Sequence, residues 1–315
     1  MGFETLLGNQ RLKENLTNSL SRNRASHFYL ISGPEGSGKH TLAKLLAAAL
    51  MCQSNDKPCL HCPDCRKLAT GLHPDFITVE DSDHKFVPVD TIRQVRDDMF
   101  IRPNEGNCKI YFLPQALRTE GQNALLKILE EPPSYGVFIL LTENPEALLP
   151  TVRSRCTELK LLPLDEATMA PALRKEFPDT PSDTLSAAIH RSGGYLGQAK
   201  ALLRGDSTIS PQTTGLVQAF CTRDNLLLAQ TLIPMEKWKR DQLLPVLQQW
   251  LEIFEDALAC RSGMQALSPL STQLAAQRSA SELNAAISAV QKAMEYAAGN
   301  ISVAAICGWL NWSLR

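Results

Sequence analysis

Seven residues, Gly33-Pro34-Glu35-Gly36-Ser37-Gly38-Lys39, constrain this chain more than any other stretch. They join an apolar run, HFYLIS at 27–32, to HTLAKLLAAALM, whose Ala/Leu content and spacing favour a helix. Glycines so placed let backbone N–H groups turn toward a polyphosphate. The helix start adds its positive dipole end, and Lys39 can reach the terminal phosphates. The bland alternative is a glycine-rich strand–helix turn without a ligand.

The alternation continues beyond the loop. Strands are expected at FITVE (76–80), KIYFL (109–113), VFILLT (137–142) and TELKLL (157–162), with helices at VDTIRQVRDDMFI and at EGQNALLKILEE, stopped by Pro132 and Pro133. Apolar strands alternating with helices predict a mostly parallel sheet covered on both faces. After Pro163 the pattern turns helical: DEATMAPALRKEF, SDTLSAAIHRS and GQAKALL form a small unit ending near Gly205. A polar stretch, GDSTISPQTTG, then leads to Leu/Ala-rich segments around 215–232, 236–261, 267–277 and 281–314. The expected fold is an α/β phosphate-loop domain over 1–163 with an inserted cysteine module at 52–65, a helical lid over 164–207 and an all-α domain over 208–315. Trp238, Trp250, Trp309 and Trp312 are read as core of the last.

Charge excludes one class of function. With 32 Lys+Arg against 33 Asp+Glu the formal net charge is −1, so a strongly basic nucleic-acid binder is not expected. The longest apolar run, Leu45 to Cys52, is far short of the roughly 20 residues of a membrane span. MGFETLLGNQ lacks the pattern of a secretory signal, so a cytoplasmic, membrane-free location is the expectation.

Hydrolysis demands more than the loop. A hydroxyl should follow Lys39 to hold Mg²⁺, but the residue is His40, a poor match for a hard cation. Thr41 lies about 100° further round the helix. An acidic pair should follow a later strand, yet no Asp or Glu occurs from Lys109 through Thr119. Gly33, Gly36, Gly38 and Lys39 are therefore read as a degenerate loop with at most weak nucleotide binding and no useful ATPase.

Four of nine cysteines fall within one segment, Cys52-x6-Cys59-x2-Cys62-x2-Cys65. Four thiolates suffice for a closed tetrahedral zinc site, which is structural because no position stays open. His61 and His73 are alternative ligands, an iron–sulfur cluster is the alternative centre, and unligated thiols are the plainest reading.

Several segments occur in one order: GNQRLKENL, HFYLISGPEGSGK, the four cysteines, HPDF at 73–76, QNALLKILEEPP at 122–133 and TVRSRC at 151–156. Together they resemble the AAA+ clamp-loader family of bacterial DNA polymerase III, most closely its non-hydrolysing delta-prime type, over roughly residues 3 to 205. The cysteine spacing is slightly shorter than the family's usual pattern. The resemblance implies an AAA+ domain with a lid and an all-α collar that holds five subunits together. It implies gamma/tau-type motor subunits and a delta-type clamp-opening subunit as partners in a hetero-pentamer, with primed DNA and the sliding clamp engaged through the complex. Motor subunits carry a lid arginine where this chain has Gln198. Ser154-Arg155-Cys156, in contrast, is intact, and the resemblance makes Arg155 a trans arginine finger for a neighbour's ATP, with pairing to a local carboxylate such as Glu158 as the alternative. It also places Arg93 and Arg96, three apart on one helix, toward DNA; Asp97 and Asp98 make a solvated face the alternative. Two competing functions are an active gamma/tau-type motor ATPase and a zinc-dependent DNA-binding adaptor.

Overall fold

The computed structural model describes residues 2–22, 24–81, 84, 86–204, 209–266, 268–299 and 301–315. The chain divides into two compact units, Met1–Pro171 with Gly193–Gln198, and Ala172–Ser192 with Ala199–Arg315. The expected join at 207/208 lies outside the described residues.

In the first unit the helices are α1 (Gln10–Ser21), α2 (Lys39–Met51), α3 (Pro63–Ala69), α4 (Val89–Asp98), α5 (Thr119–Glu130) and α6 (Pro150–Arg153). The strands are β1 (Phe28–Ser32), β2 (Phe76–Thr78), β3 (Lys109–Leu113), β4 (Gly136–Thr142) and β5 (Thr157–Lys160). They form one sheet in the order β2-β3-β4-β1-β5, with every pairing parallel. β1 sits inside it, Leu30 opposite Leu140 and Ile31 opposite Leu159, so the phosphate loop leaves from the sheet's interior.

Side chains alternate across a strand, and β1, β3 and β4 therefore build two cores. Tyr29, Ile31, Ile110, Phe112, Ile139 and Leu141 join Leu42 and Leu46 of α2 on one face. Phe28, Leu30, Tyr111, Leu113, Phe138 and Leu140 join Ile92 of α4 and Leu125 and Ile128 of α5 on the other. A fully buried Leu or Ile contributes roughly 1.5–3 kcal/mol. This doubly covered parallel sheet is the α/β arrangement expected from the alternation. α1 and α3 were not anticipated; α3 starts within the cysteine module at Pro63 and runs past it to Ala69.

α7 (Glu166–Glu176), α8 (Ser182–Arg191) and α9 (Leu196–Arg204) follow the expected helical segments, and α7 carries Pro171 in its interior. The second unit adds α10 (Pro211–Thr222), α11 (Asn225–Leu232), α12 (Arg240–Arg261), α13 (Pro269–Gln277), α14 (Ala280–Ala298) and α15 (Val303–Ser313). Two expected segments are each split. In 215–232 the chain breaks at Arg223, in left-handed conformation, and Asp224 starts α11 by accepting from Leu226 and Leu227 N–H. In 281–314 the break follows Ala298, and Ser302 caps α15.

The tryptophan reading needs a correction. Trp250 is fully buried and donates from Nε1 to Thr213 Oγ1 at 3.0 Å; Trp238 and Trp309 pack against the core. Trp312 is 75% exposed. Ile306, Leu310 and Leu314 recur every four residues and face inward, which turns Trp312 to the other side of α15. Among the described residues no helix is long and apolar enough to cross a membrane.

Candidate functional site

The phosphate loop links β1 to α2. Gly36 (φ 72°) and Gly38 (φ 96°) adopt the left-handed region, which only glycine enters without strain. Lys39 folds back on its own loop, and its Nζ donates to Gly33 O at 2.7 Å and Pro34 O at 2.8 Å, with Glu143 Oε1 at 3.8 Å. Burial lowers the lysine's pKa against the opposing pull of Glu143 and Glu35. His40 lies edge-on to Phe112, ring centroids 5.6 Å apart. Burial, then Lys39 and Lys44, depress its pKa, so a neutral imidazole stands where a hydroxyl would hold metal.

The loop's carbonyls are also engaged from the start of α9. Gly197 N–H donates to Gly36 O at 2.9 Å, and Gln198 Nε2 donates to Glu35 O at 3.0 Å. The approach is so close that a Cβ on Gly197 would lie 2.6 Å from Gly36 Cα. Beyond β3, Gln115 bonds Asp81 and His84: it accepts from Asp81 N–H at 2.9 Å and donates to Asp81 O at 3.1 Å and to His84 O. Both polar atoms of Gln115 are thus engaged within the fold, and a neutral amide supplies neither the charge nor the basicity of the missing carboxylates.

Cys52 closes α2, and Cys62 opens α3. The sulfurs of Cys52, Cys59, Cys62 and Cys65 all lie within 4.8 Å of one another, and those of Cys59 and Cys65 are 4.0 Å apart. Zn–S bonds of about 2.3 Å place tetrahedral sulfurs about 3.8 Å apart, so this cluster can close on one ion with shifts of about an ångström. Cys62 N–H already points at Cys59 Sγ, 3.3 Å away. The backbone at His61 lowers the Cys59 pKa to about 6, whereas burial raises those of Cys52 and Cys65. Neither histidine belongs to the cluster. His61 Nδ1 lies 2.7 Å from Cys59 O, while His73 is buried with Nδ1 accepting from Asp75 N–H and Nε2 3.7 Å from Asp64.

Asp75, the acid of HPDF, is fully buried and was not anticipated as an anchor. Its Oδ1 accepts from Asn104 N–H (2.6 Å) and Asn104 Nδ2 (3.1 Å); its Oδ2 accepts from Glu105 N–H (2.9 Å) and Gly106 N–H (2.7 Å). Lys67 of α3 pairs with Glu105, tying the same loop to the cysteine module.

Arg155 follows α6 on the surface, its side chain 36% exposed. It does not pair with Glu158, which is 3.8 Å from Arg153 Nη2 and accepts from Ser32 Oγ at 2.9 Å. Its partner is Glu130, the last residue of α5, at 2.9 Å. Gln122 of α5 positions the segment before α6, donating to Leu117 O (3.1 Å) and Ala147 O (3.3 Å) and accepting from Leu149 N–H (2.7 Å). On α4, Arg93 pairs with Asp90 and Arg96 with Asp97, both at 2.8 Å. Each cation is thus locally compensated.

A family profile described as "DNA polymerase III, delta subunit" matches residues 8–165. The chain is 36% identical over 205 residues to DNA polymerase III subunit delta' of Escherichia coli, covering 64% of this chain and 61% of that one. It is 37% identical over 158 residues to DNA polymerase III subunit tau of Bacillus subtilis, covering 49% and 28% respectively. It therefore spans less than two-thirds of either relative. A solved gamma subunit-related protein of Thermotoga maritima aligns with TM-score 0.43 and 17% identity, covering 95% of this chain and all of that one. The match over residues 8–165 takes in the phosphate loop, the four cysteines and Arg155, and the chain belongs to the DNA polymerase III delta-subunit family.

Proposed function

We propose that this chain is a clamp-loader subunit of the delta-prime type, a scaffold that hydrolyses no ATP itself and lends Arg155 to the ATP of an adjacent motor subunit. The observation carrying this reading is the contrast between its two nucleotide-related features. At the loop, Lys39 is engaged by its own carbonyls, a neutral His40 follows it, and no acid stands from Lys109 through Thr119. Arg155 is at the surface. A guanidinium brought to a neighbouring γ-phosphate stabilises transition-state charge, an effect of about 10³–10⁵ in rate for trans arginine fingers.

The partners in this reading are gamma/tau-type motors and a delta-type clamp-opening subunit in a hetero-pentamer acting on primed DNA and the sliding clamp. Residues 1–163 form the AAA+ domain, 164–207 the lid and 208–315 the collar. Cys52, Cys59, Cys62 and Cys65 hold a structural zinc, which replaces a hydrophobic core in the module. Arg93 and Arg96 face DNA phosphates and exchange Asp90 and Asp97 for them. A motor reading draws on the likeness to the Bacillus subtilis tau subunit; the missing carboxylates weigh against it.

Titrating the isolated chain with Mg-ATP separates the two. The expected result is no turnover above background and no loss of it in Lys39→Ala. Mg²⁺-dependent turnover abolished by Lys39→Ala would install the motor reading instead.

A further inference from the structure

We infer that Glu130 is a positioning residue for Arg155, setting the guanidinium in the orientation from which it is lent; this rests on the trans-donor reading above. Three contacts fix the side chain. Nη1 donates to Thr151 O at 2.8 Å and reaches Ser154 Oγ at 3.4 Å, and Nη2 donates to Glu130 Oε1 at 2.9 Å. Thr151 and Ser154 are near neighbours in sequence, so they restrain the arginine only to its own turn. Glu130 lies 25 residues away on the end of α5 and ties the guanidinium to a packed helix whose Leu125 and Ile128 are core.

A guanidinium has five N–H donors. Three are engaged here, which leaves two on a partly exposed fork for a polyphosphate. A long, unrestrained arginine would lose its rotamer freedom only on meeting the nucleotide; one already held loses less. The pair also suits its place. A carboxylate at a helix C-terminus opposes the dipole, and a cation against it restores the balance. Removing Glu130 should therefore leave the fold intact, which makes it a usable probe.

The test uses the reconstituted assembly of this chain with gamma/tau-type and delta-type subunits, measuring primed-DNA-stimulated ATP hydrolysis for wild type, Glu130→Ala, Glu130→Gln, Arg155→Ala and the double variant Glu130→Ala/Arg155→Ala. Glu130→Ala is expected to lower kcat about two- to fivefold, the scale of a partly exposed ion pair, with KM for ATP unchanged. Glu130→Gln keeps an acceptor and should recover most of the rate. In the Arg155→Ala background, Glu130→Ala should cause no further loss. A fall in Arg155→Ala with Glu130→Ala at the wild-type rate, or with an equal loss in both backgrounds, overturns the positioning role alone. Wild-type hydrolysis by Arg155→Ala overturns the donor reading, and the inference falls with it.

Discussion

Replacing Asp75 by Asn tests how the part of the first unit next to the cysteine cluster is held. The carboxylate accepts four N–H donors, two on each oxygen, from residues 104–106. An amide has one acceptor oxygen; its nitrogen must face either the Asn104 pair or the N–H groups of Glu105 and Gly106, with no bond possible to backbone donors. Hydrogen bonds to charged groups are worth about 1.5–3 kcal/mol each. Losing one pair of bonds therefore destabilises the first unit by about 3–5 kcal/mol. With a urea slope near 2–3 kcal/mol/M, that is a midpoint shift of about 1–2 M. All four tryptophans lie in the second unit, so their fluorescence follows that unit, while hydrogen exchange of β1, β3 and β4 amides follows the first. The urea dependence of exchange at the β1, β3 and β4 amides should therefore shift in Asp75→Asn. Burial raises the Asp75 pKa, but the N–H groups of Asn104, Gly106 and Glu105 outweigh it and hold the carboxyl below the ordinary range. A depressed pKa adds stability above the unfolded value and loses it as pH falls through the folded one. The difference between wild type and variant should accordingly narrow in strong acid. An unshifted exchange midpoint would refute the anchoring role.

Two further outcomes follow. Metal analysis should find one zinc per chain in metal-replete protein, and Cys59→Ser should lower that occupancy while hydrogen exchange rises across 52–65; zinc-free, colourless protein with a protected module would contradict the site, and brown protein would indicate iron–sulfur. In the second unit, the Ser279 backbone N–H is the main cause of a Glu282 carboxyl held at about 2, so its contribution is full above the unfolded carboxylate range and lost as pH falls through about 2. Glu282→Gln should flatten the acid limb of the tryptophan-monitored transition, and an identical limb would show that the Ser279–Glu282 cap does not matter.

How much was legible beforehand depended on the range of the interaction. The five strands, the phosphate loop and the thiol cluster are written in local spacing, and β1, β3 and β4 are apolar enough to mark themselves as interior. Partner choice is not local. Arg155 has Glu158 three residues away, but β5 points that carboxylate toward Ser32 and Arg153, while α5 brings Glu130 across 25 residues. Gln122 and Asp75 read as ordinary polar residues until the fold shows them buried and bonded to the backbone of distant segments. The split at Arg223 carries no glycine or proline, although Asp224 is a recognisable helix cap. Trp312 was misplaced because an aromatic among apolar neighbours suggests core, whereas the four-residue recurrence of Ile306, Leu310 and Leu314 decides which face is buried.

The most direct measurement compares two variants of this chain in the reconstituted clamp-loader assembly, Lys39→Ala and Arg155→Ala, by steady-state ATP hydrolysis with primed DNA. Lys39→Ala should match wild type, and Arg155→Ala should reduce the hydrolysis that depends on the lent arginine by about 10³-fold or more at that site. The opposite pattern, a collapse in Lys39→Ala with Arg155→Ala unaffected, would mean that the chain works its own nucleotide pocket.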